Sequence, residues 1–111
     1  MQNNKFEAYI GFSIKSRSII YGFDNLIKFN KKVPLVIVDE STNVKILNKL
    51  LVFCENKGCA LIKSKILLSD LTKRDNVKVV GLINKNLVDA ILINCVNDIL
   101  ILKEGENKIG K

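Results

Sequence analysis

The stretch Leu35-Val36-Ile37-Val38 follows directly on Pro34, the only proline of the chain, and it constrains the fold more than any other feature. Successive side chains of a strand point to opposite faces, so an apolar run without alternation has to be covered on both. Proline lacks an N–H and suits the start of such a strand. Ala60-Leu61-Ile62 repeats the pattern, as does the segment holding Val77, Val79, Val80, Leu82 and Ile83, while Ser18-Ile19-Ile20-Tyr21 is a shorter β segment. A sheet buried on both faces requires helices above and below it.

The intervening sequence supplies them. Phe6, Tyr9, Ile10 and Ile14 share one helical face, which predicts a first helix ending near Ser16. Gly22 permits a tight turn, and Asp24 is placed to begin a helix with Leu26, Ile27 and Phe29 on its buried side, ending before Pro34. Asp39 to Asn43 provides a turn and cap, after which Val44, Leu47, Leu51 and Cys54 recur at helical spacing as far as Gly58. Ser64 is the capping candidate for a short helix with Leu67, Leu68 and Leu71, and Asn86 opens a last helix with Leu87, Val88, Ile91 and Leu92. The expectation is one domain over residues 1–111: α/β, a three-layer α/β/α sandwich around a mixed sheet of about four strands. Its folded part spans about residues 4–102, with a frayed tail at 103–111. Ile99 to Leu102 is apolar and leaves three possibilities open: an extension of the last helix, an edge strand, or a contact with a second subunit.

With 111 residues, of which 48% are hydrophobic, the chain can build one core and not two. No apolar run reaches the ~18 residues of a membrane span, and the first residues do not form a signal-peptide core, so a cytoplasmic location is expected. Cys54, Cys59 and Cys95 are odd in number and show no CxxC spacing, which favours reduced, buried thiols over a disulfide or a zinc site. There is no histidine, and neither a Walker-type phosphate loop nor a Gly-rich dinucleotide fingerprint is present. Asp39-Glu40 is an acidic pair after a central strand, but without partners it reads as a capping turn. These absences predict a non-catalytic protein with no cofactor and no metal.

The formal charge is +7, and its distribution is uneven. Residues 15–32 carry five basic side chains against one acid, and residues 57–85 carry seven against two, whereas the rest of the chain is mildly acidic. A confined excess of this kind suggests a face that meets a polyanion.

Three stretches give the chain a family resemblance: Gly11-Phe12-Ser13 through Ile19-Ile20-Tyr21-Gly22, Ser64-Lys65 through Leu68-Ser69, and Val79-Val80-Gly81-Leu82-Ile83-Asn84-Lys85. Together they resemble the L-seven-Ae and L-thirty-e type ribosomal proteins that bind kink-turn RNA, and the last stretch is similar to the bacterial YlxQ-like branch. The resemblance covers roughly residues 9–94. It implies a cytoplasmic RNA-binding ribonucleoprotein component whose partner is ribosomal or other structured RNA. Ribosomal or transcription and translation proteins are further candidate partners.

The family's signature, Gly-x-Asn-Glu-x-x-Lys, falls on Gly22-Phe23-Asp24-Asn25-Leu26-Ile27-Lys28. Gly22 and Lys28 match, while Asp24 and Asn25 stand where the family has the Asn and Glu that contact guanine edges. The RNA-binding expectation therefore rests on Gly22, Asp24, Asn25 and Lys28, extended by Lys31 and Lys32, with Lys65, Lys73 and Arg74 on the same surface. A second departure is the loop before the last strand, where the family has small apolar residues and this chain has Lys73-Arg74-Asp75-Asn76-Val77-Lys78. Such a loop can hold phosphates but offers little apolar cover to a base. On chemistry alone, Asp24 can equally cap its helix and pair with Lys28. The alternative function is a protein-interaction module that retains the fold with weak or no RNA binding.

Overall fold

A computed structural model describes residues 4–105. In chain order the elements are α1 (Lys5–Lys15), β1 (Ile19–Tyr21), α2 (Phe23–Lys28), β2 (Leu35–Asp39), α3 (Val44–Lys57), β3 (Ala60–Ser64), α4 (Leu68–Thr72), β4 (Val79–Leu82), α5 (Lys85–Asn94) and β5 (Ile99–Lys103). The expected mixed α/β architecture is present, with one strand more than anticipated. The sheet order is β1-β4-β2-β3-β5, in which β2 and β3 are parallel and the other neighbours antiparallel.

The unalternating run of β2 is buried along its whole length, as its sequence requires. Leu35 and Ile37 face a cluster with Phe6, Ile10, Leu68, Leu71, Val88 and Ile91, contributed by α1, α4 and α5. Val36 and Val38 face Leu26, Leu50 and Cys54 of α2 and α3 on the other side. Each helix thus covers one face of the strands, which is the three-layer arrangement.

Several local expectations are corrected. Of the three possibilities for the last apolar stretch the structure takes the edge strand, because Ile99 to Lys103 pair with β3. Lys103 therefore belongs to the sheet, and of the expected frayed tail residues 106–111 lie outside the described ones. Gly22, not Asp24, is the N-cap of α2, and that helix has only six residues. Leu26 is fully buried, whereas Ile27 is 54% exposed, since so short a helix turns only a narrow stripe toward the sheet. Asn84, not Asn86, caps α5, accepting hydrogen bonds from the backbone N–H groups of Asn86 and Leu87. Asn43 caps α3 through the N–H of Ile46, and Gly58 ends it with φ +74°, a left-handed conformation that costs glycine little.

Ser64 does not cap α4: its hydroxyl is engaged with the backbone of Ile66. The capping group comes from β2 instead. Asp39 is 2% exposed. Its Oδ2 accepts from the N–H of Leu68 at 2.9 Å, and its Oδ1 accepts from the N–H and hydroxyl of Ser41 at 2.9 and 2.6 Å. One buried carboxylate thus fixes both the β2–α3 turn and the start of α4, a bond reaching across 29 residues of chain. Asp39 is structural in this arrangement, but the helix start it serves is that of α4 and not that of the following α3, which Asn43 caps.

Candidate nucleic-acid interface

The sheet register decides which of the candidate residues can act together. β1, β2 and β3 all end where β4 and β5 begin: Tyr21 lies opposite Val80, Val38 opposite Val79, Asp39 beside Ser64, and Ser64 opposite Ile99. The β1–α2 turn, the β2–α3 turn, the segment after β3 and the loop before β4 therefore meet at one end of the sheet.

Hydrogen bonds hold these loops against one another. The N–H of Gly22 donates to the carbonyl of Val79 at 2.9 Å, and the carbonyl of Lys78 accepts from the N–H of Asp39 and the hydroxyl of Thr42, both at 3.2 Å. The N–H of Lys65 donates to the carbonyl of Asp98 at 2.9 Å. Lys73 and Asn76 adopt left-handed backbone, with φ of +60° and +64°, which folds the loop back on itself. The Arg74 guanidinium then lies over the Tyr21 ring, 4.1 Å from its centre, within cation–π range. Lys73 reaches the other way and pairs with Glu7 of α1 at 2.9 Å.

The β1–α2 turn is built for close approach. Gly22 has φ +86° and ψ 154°, a combination that residues with a side chain rarely adopt. Asn25 donates its amide to the carbonyl of Tyr21 at 2.8 Å, which leaves its side-chain oxygen as the outward-facing acceptor. Asp24 is exposed and forms no salt bridge among the described residues, so the alternative pairing with Lys28 is not made. Its place in the first turn complements the helix dipole. Two close contacts seat α2: a Cβ on Gly81 would lie 2.5 Å from the Cδ2 of Leu26, and Phe23 meets Phe53 of α3 edge to face at 6.1 Å.

Gly22, Asp24, Asn25, Lys65, Lys73 and Arg74 are thus brought to one end of the sheet. Lys28 sits at the far end of α2. Lys31 and Lys32 depart from expectation. They precede β2, whose first residue Leu35 pairs with Leu82, the last of β4, so they stand one strand length, roughly 13 Å, from the Gly22 end. There they join Lys57 around a small cleft beside Cys59. Their closeness in sequence to Lys28 is undone by the extended segment between α2 and β2. Tyr21 and Lys78 are additional residues at the Gly22 end. Along the chain Tyr21 has only a strand role, because nothing local pairs it with Arg74.

The three thiols are buried, as their spacing suggested. Cys54 and Cys59 bracket the end of α3 and share a hydrogen bond that pushes the Cys54 thiol up and holds that of Cys59 down, against the effect of burial. Burial, with Asp98 beside it, pushes Cys95 up. Among the described residues no group of side chains has the makings of a metal site, and no helix is long and apolar enough to cross a membrane.

No family model matches the chain, and no curated protein matches it. Among solved structures, a protein described as of unknown function from Bacillus halodurans C is similar, with a TM-score of 0.74 and 18% identity over 81% of this chain and 95% of that one. At that identity the likeness concerns the fold alone: the chain is an α/β sandwich protein of the same architecture.

Proposed function

We propose that the protein is a non-catalytic binder of structured RNA, cytoplasmic and ribosome-associated, acting through the sheet end at Gly22. The observation that carries this reading is the meeting of the Gly22–Asn25 turn with the 73–78 loop, through the Gly22 N–H to Val79 bond and the Arg74–Tyr21 stack. Two segments far apart in sequence, each from a basic part of the chain, form one surface. Lys65, Arg74 and Lys78 are exposed there and can neutralise phosphates. The Gly22 backbone and the Asn25 oxygen are the groups suited to a base edge. The resemblance of the Gly22–Lys28 segment to the kink-turn signature supplies RNA as the partner, and the glycine at its head supports it.

A second reading is favoured by one feature of the same surface. Asp24, Glu40 and Asp75 are exposed at this end and interrupt its positive charge, as an interface for a protein of the transcription or translation machinery would allow. Partners retained after nuclease treatment would support it over the first.

The RNA reading is tested by comparing two triple replacements with glutamate: Lys65, Arg74 and Lys78 at the Gly22 end, against Lys31, Lys32 and Lys57 at the other. The first should weaken binding strongly and flatten the slope of log affinity against log salt by roughly 0.7 to 0.9 for each phosphate no longer neutralised. Equal weakening by the two would overturn the assignment of the surface.

A further inference from the structure

At the opposite end of the sheet lies a cavity of about 560 Å³ that the RNA reading does not use. Its walls come from α5 (Val88, Leu92), the residue after β4 (Ile83), the residue before β2 (Pro34), the start of β3 (Ala60) and β5 (Ile101). The volume lies within the range of small-molecule sites, which are characteristically apolar with a few polar groups at fixed points. The β5 edge strand closes one side of it.

The charged groups at its mouth are unequal. Lys85 is neutralised by Asp89, to which it is paired at 3.1 Å. Lys32 also lines the mouth and has no salt-bridge partner among the described residues. Beside it, Lys31 and Lys57 share the adjoining cleft, and Lys57, Lys103 and Lys32 all lie near enough to Cys59 to favour its thiolate. The mouth itself carries Lys32 and Lys85 against Asp89 and Glu104; with Lys85 and Asp89 paired, Lys32 is reinforced by Lys31 and Lys57 of the adjoining cleft and opposed by the carboxylate of Glu104.

We infer that this cavity is a binding site for a small amphipathic anion, its apolar body held between α5 and β5 and its carboxylate, sulfonate or phosphate group at Lys32. An apolar interior with a lysine free of any salt bridge at its mouth discriminates by charge at the head and by volume at the body. A polyanion gains nothing from the apolar interior, and a neutral apolar compound gains nothing from Lys32. The site is independent of the RNA surface, one strand length away.

The test uses the full chain and two probes of matched apolar body: anilinonaphthalene sulfonate, which carries a negative charge, and phenylnaphthylamine, which does not. Titration calorimetry should give one saturable site that prefers the sulfonate by about tenfold, or roughly 1.4 kcal/mol. Amide shifts in NMR spectra should concentrate at Gly58, Ala60, Ile83 and Val88. Lys32→Glu should abolish the tenfold preference and leave phenylnaphthylamine binding unchanged. Ile101→Trp, at a half-exposed wall position, should weaken both probes, whereas Lys45→Glu on α3 should alter neither. Circular dichroism checks that each variant keeps the fold. Equal affinity for the two probes, or shifts scattered over the surface, would overturn the inference. So would nuclear Overhauser contacts from Val88 or Leu92 to residues 106–111 or to a second copy in an isotope-mixed sample without probe, since another occupant would then fill the cavity.

Discussion

Gly22 offers the cleanest separation of backbone strain from packing. A Cβ built on it meets nothing within 4 Å, so Gly22→Ala creates no clash, yet its φ of +86° with ψ 154° lies where alanine is strained. The expected cost is the backbone term alone, about 1–3 kcal/mol. Gly11 is the control. Its Cβ also enters open space, but it lies inside α1, where alanine is favoured by roughly 0.5–1 kcal/mol. Gly81→Ala tests the opposite cause, because its Cβ would sit 2.5 Å from Leu26 Cδ2 and 3.1 Å from Val33 Cγ1. Overpacking of that kind costs about 1–3 kcal/mol, and a smaller residue at Leu26 should relieve part of it. Urea denaturation of the three variants, with Leu26→Ala combined with Gly81→Ala and with Gly22→Ala as two double-mutant cycles, gives all the terms. Gly11→Ala should stabilise, Gly22→Ala should destabilise without coupling to Leu26, and Gly81→Ala should destabilise with coupling. A Gly22→Ala variant as stable as the native protein would refute the assignment of strain to this turn, and with it the claim that the turn requires glycine.

Asp39→Ala removes the acceptor for three hydrogen bonds and leaves the Leu68 N–H without its partner, so a destabilisation of about 3 kcal/mol is expected in urea denaturation; a change below about 1 kcal/mol would show that α4 does not depend on it. The thiols should resist maleimide in the native protein and react in denaturant. Among them Cys59, held down by the hydrogen bond from Cys54, should be labelled at lower pH than Cys95, and Cys54→Ala, which removes that donor, should move its labelling to higher pH. Mass mapping of labelled peptides reads the order, and Cys95 reacting first would contradict it. Binding should show no sharp kink-turn preference, because Asp24 lacks the donor of asparagine and the 73–78 loop lacks apolar cover. In competition at physiological salt against the same RNA with Watson–Crick pairs replacing its sheared G·A pairs, a hundredfold preference for the kink-turn, about 2.7 kcal/mol, would overturn this.

Periodicity and local chemistry alone determined most of the elements. The unalternating run after Pro34 demanded a two-sided strand, the spacing from Val44 to Cys54 with Gly58 beyond it demanded a helix and its stop, and the absence of histidine removed the commonest catalytic and metal-binding chemistry. These are properties of neighbouring residues, and neighbouring residues are what a sequence displays. Tertiary structure decided what depended on register between distant strands. Pairing with β3 made Ile99 to Lys103 an edge strand, although its apolar residues fit a helix equally well. Asp39 became the cap of α4 across 29 residues, a role that no local motif announces. Register also divided the basic segment after Gly22, keeping the turn beside Arg74 and sending Lys31 and Lys32 to the cavity end. A strand advances by about 3.3 Å per residue, so a few positions along β2 carry a side chain from one end of the molecule to the other. Charge clusters counted along the chain therefore need not be clusters in space.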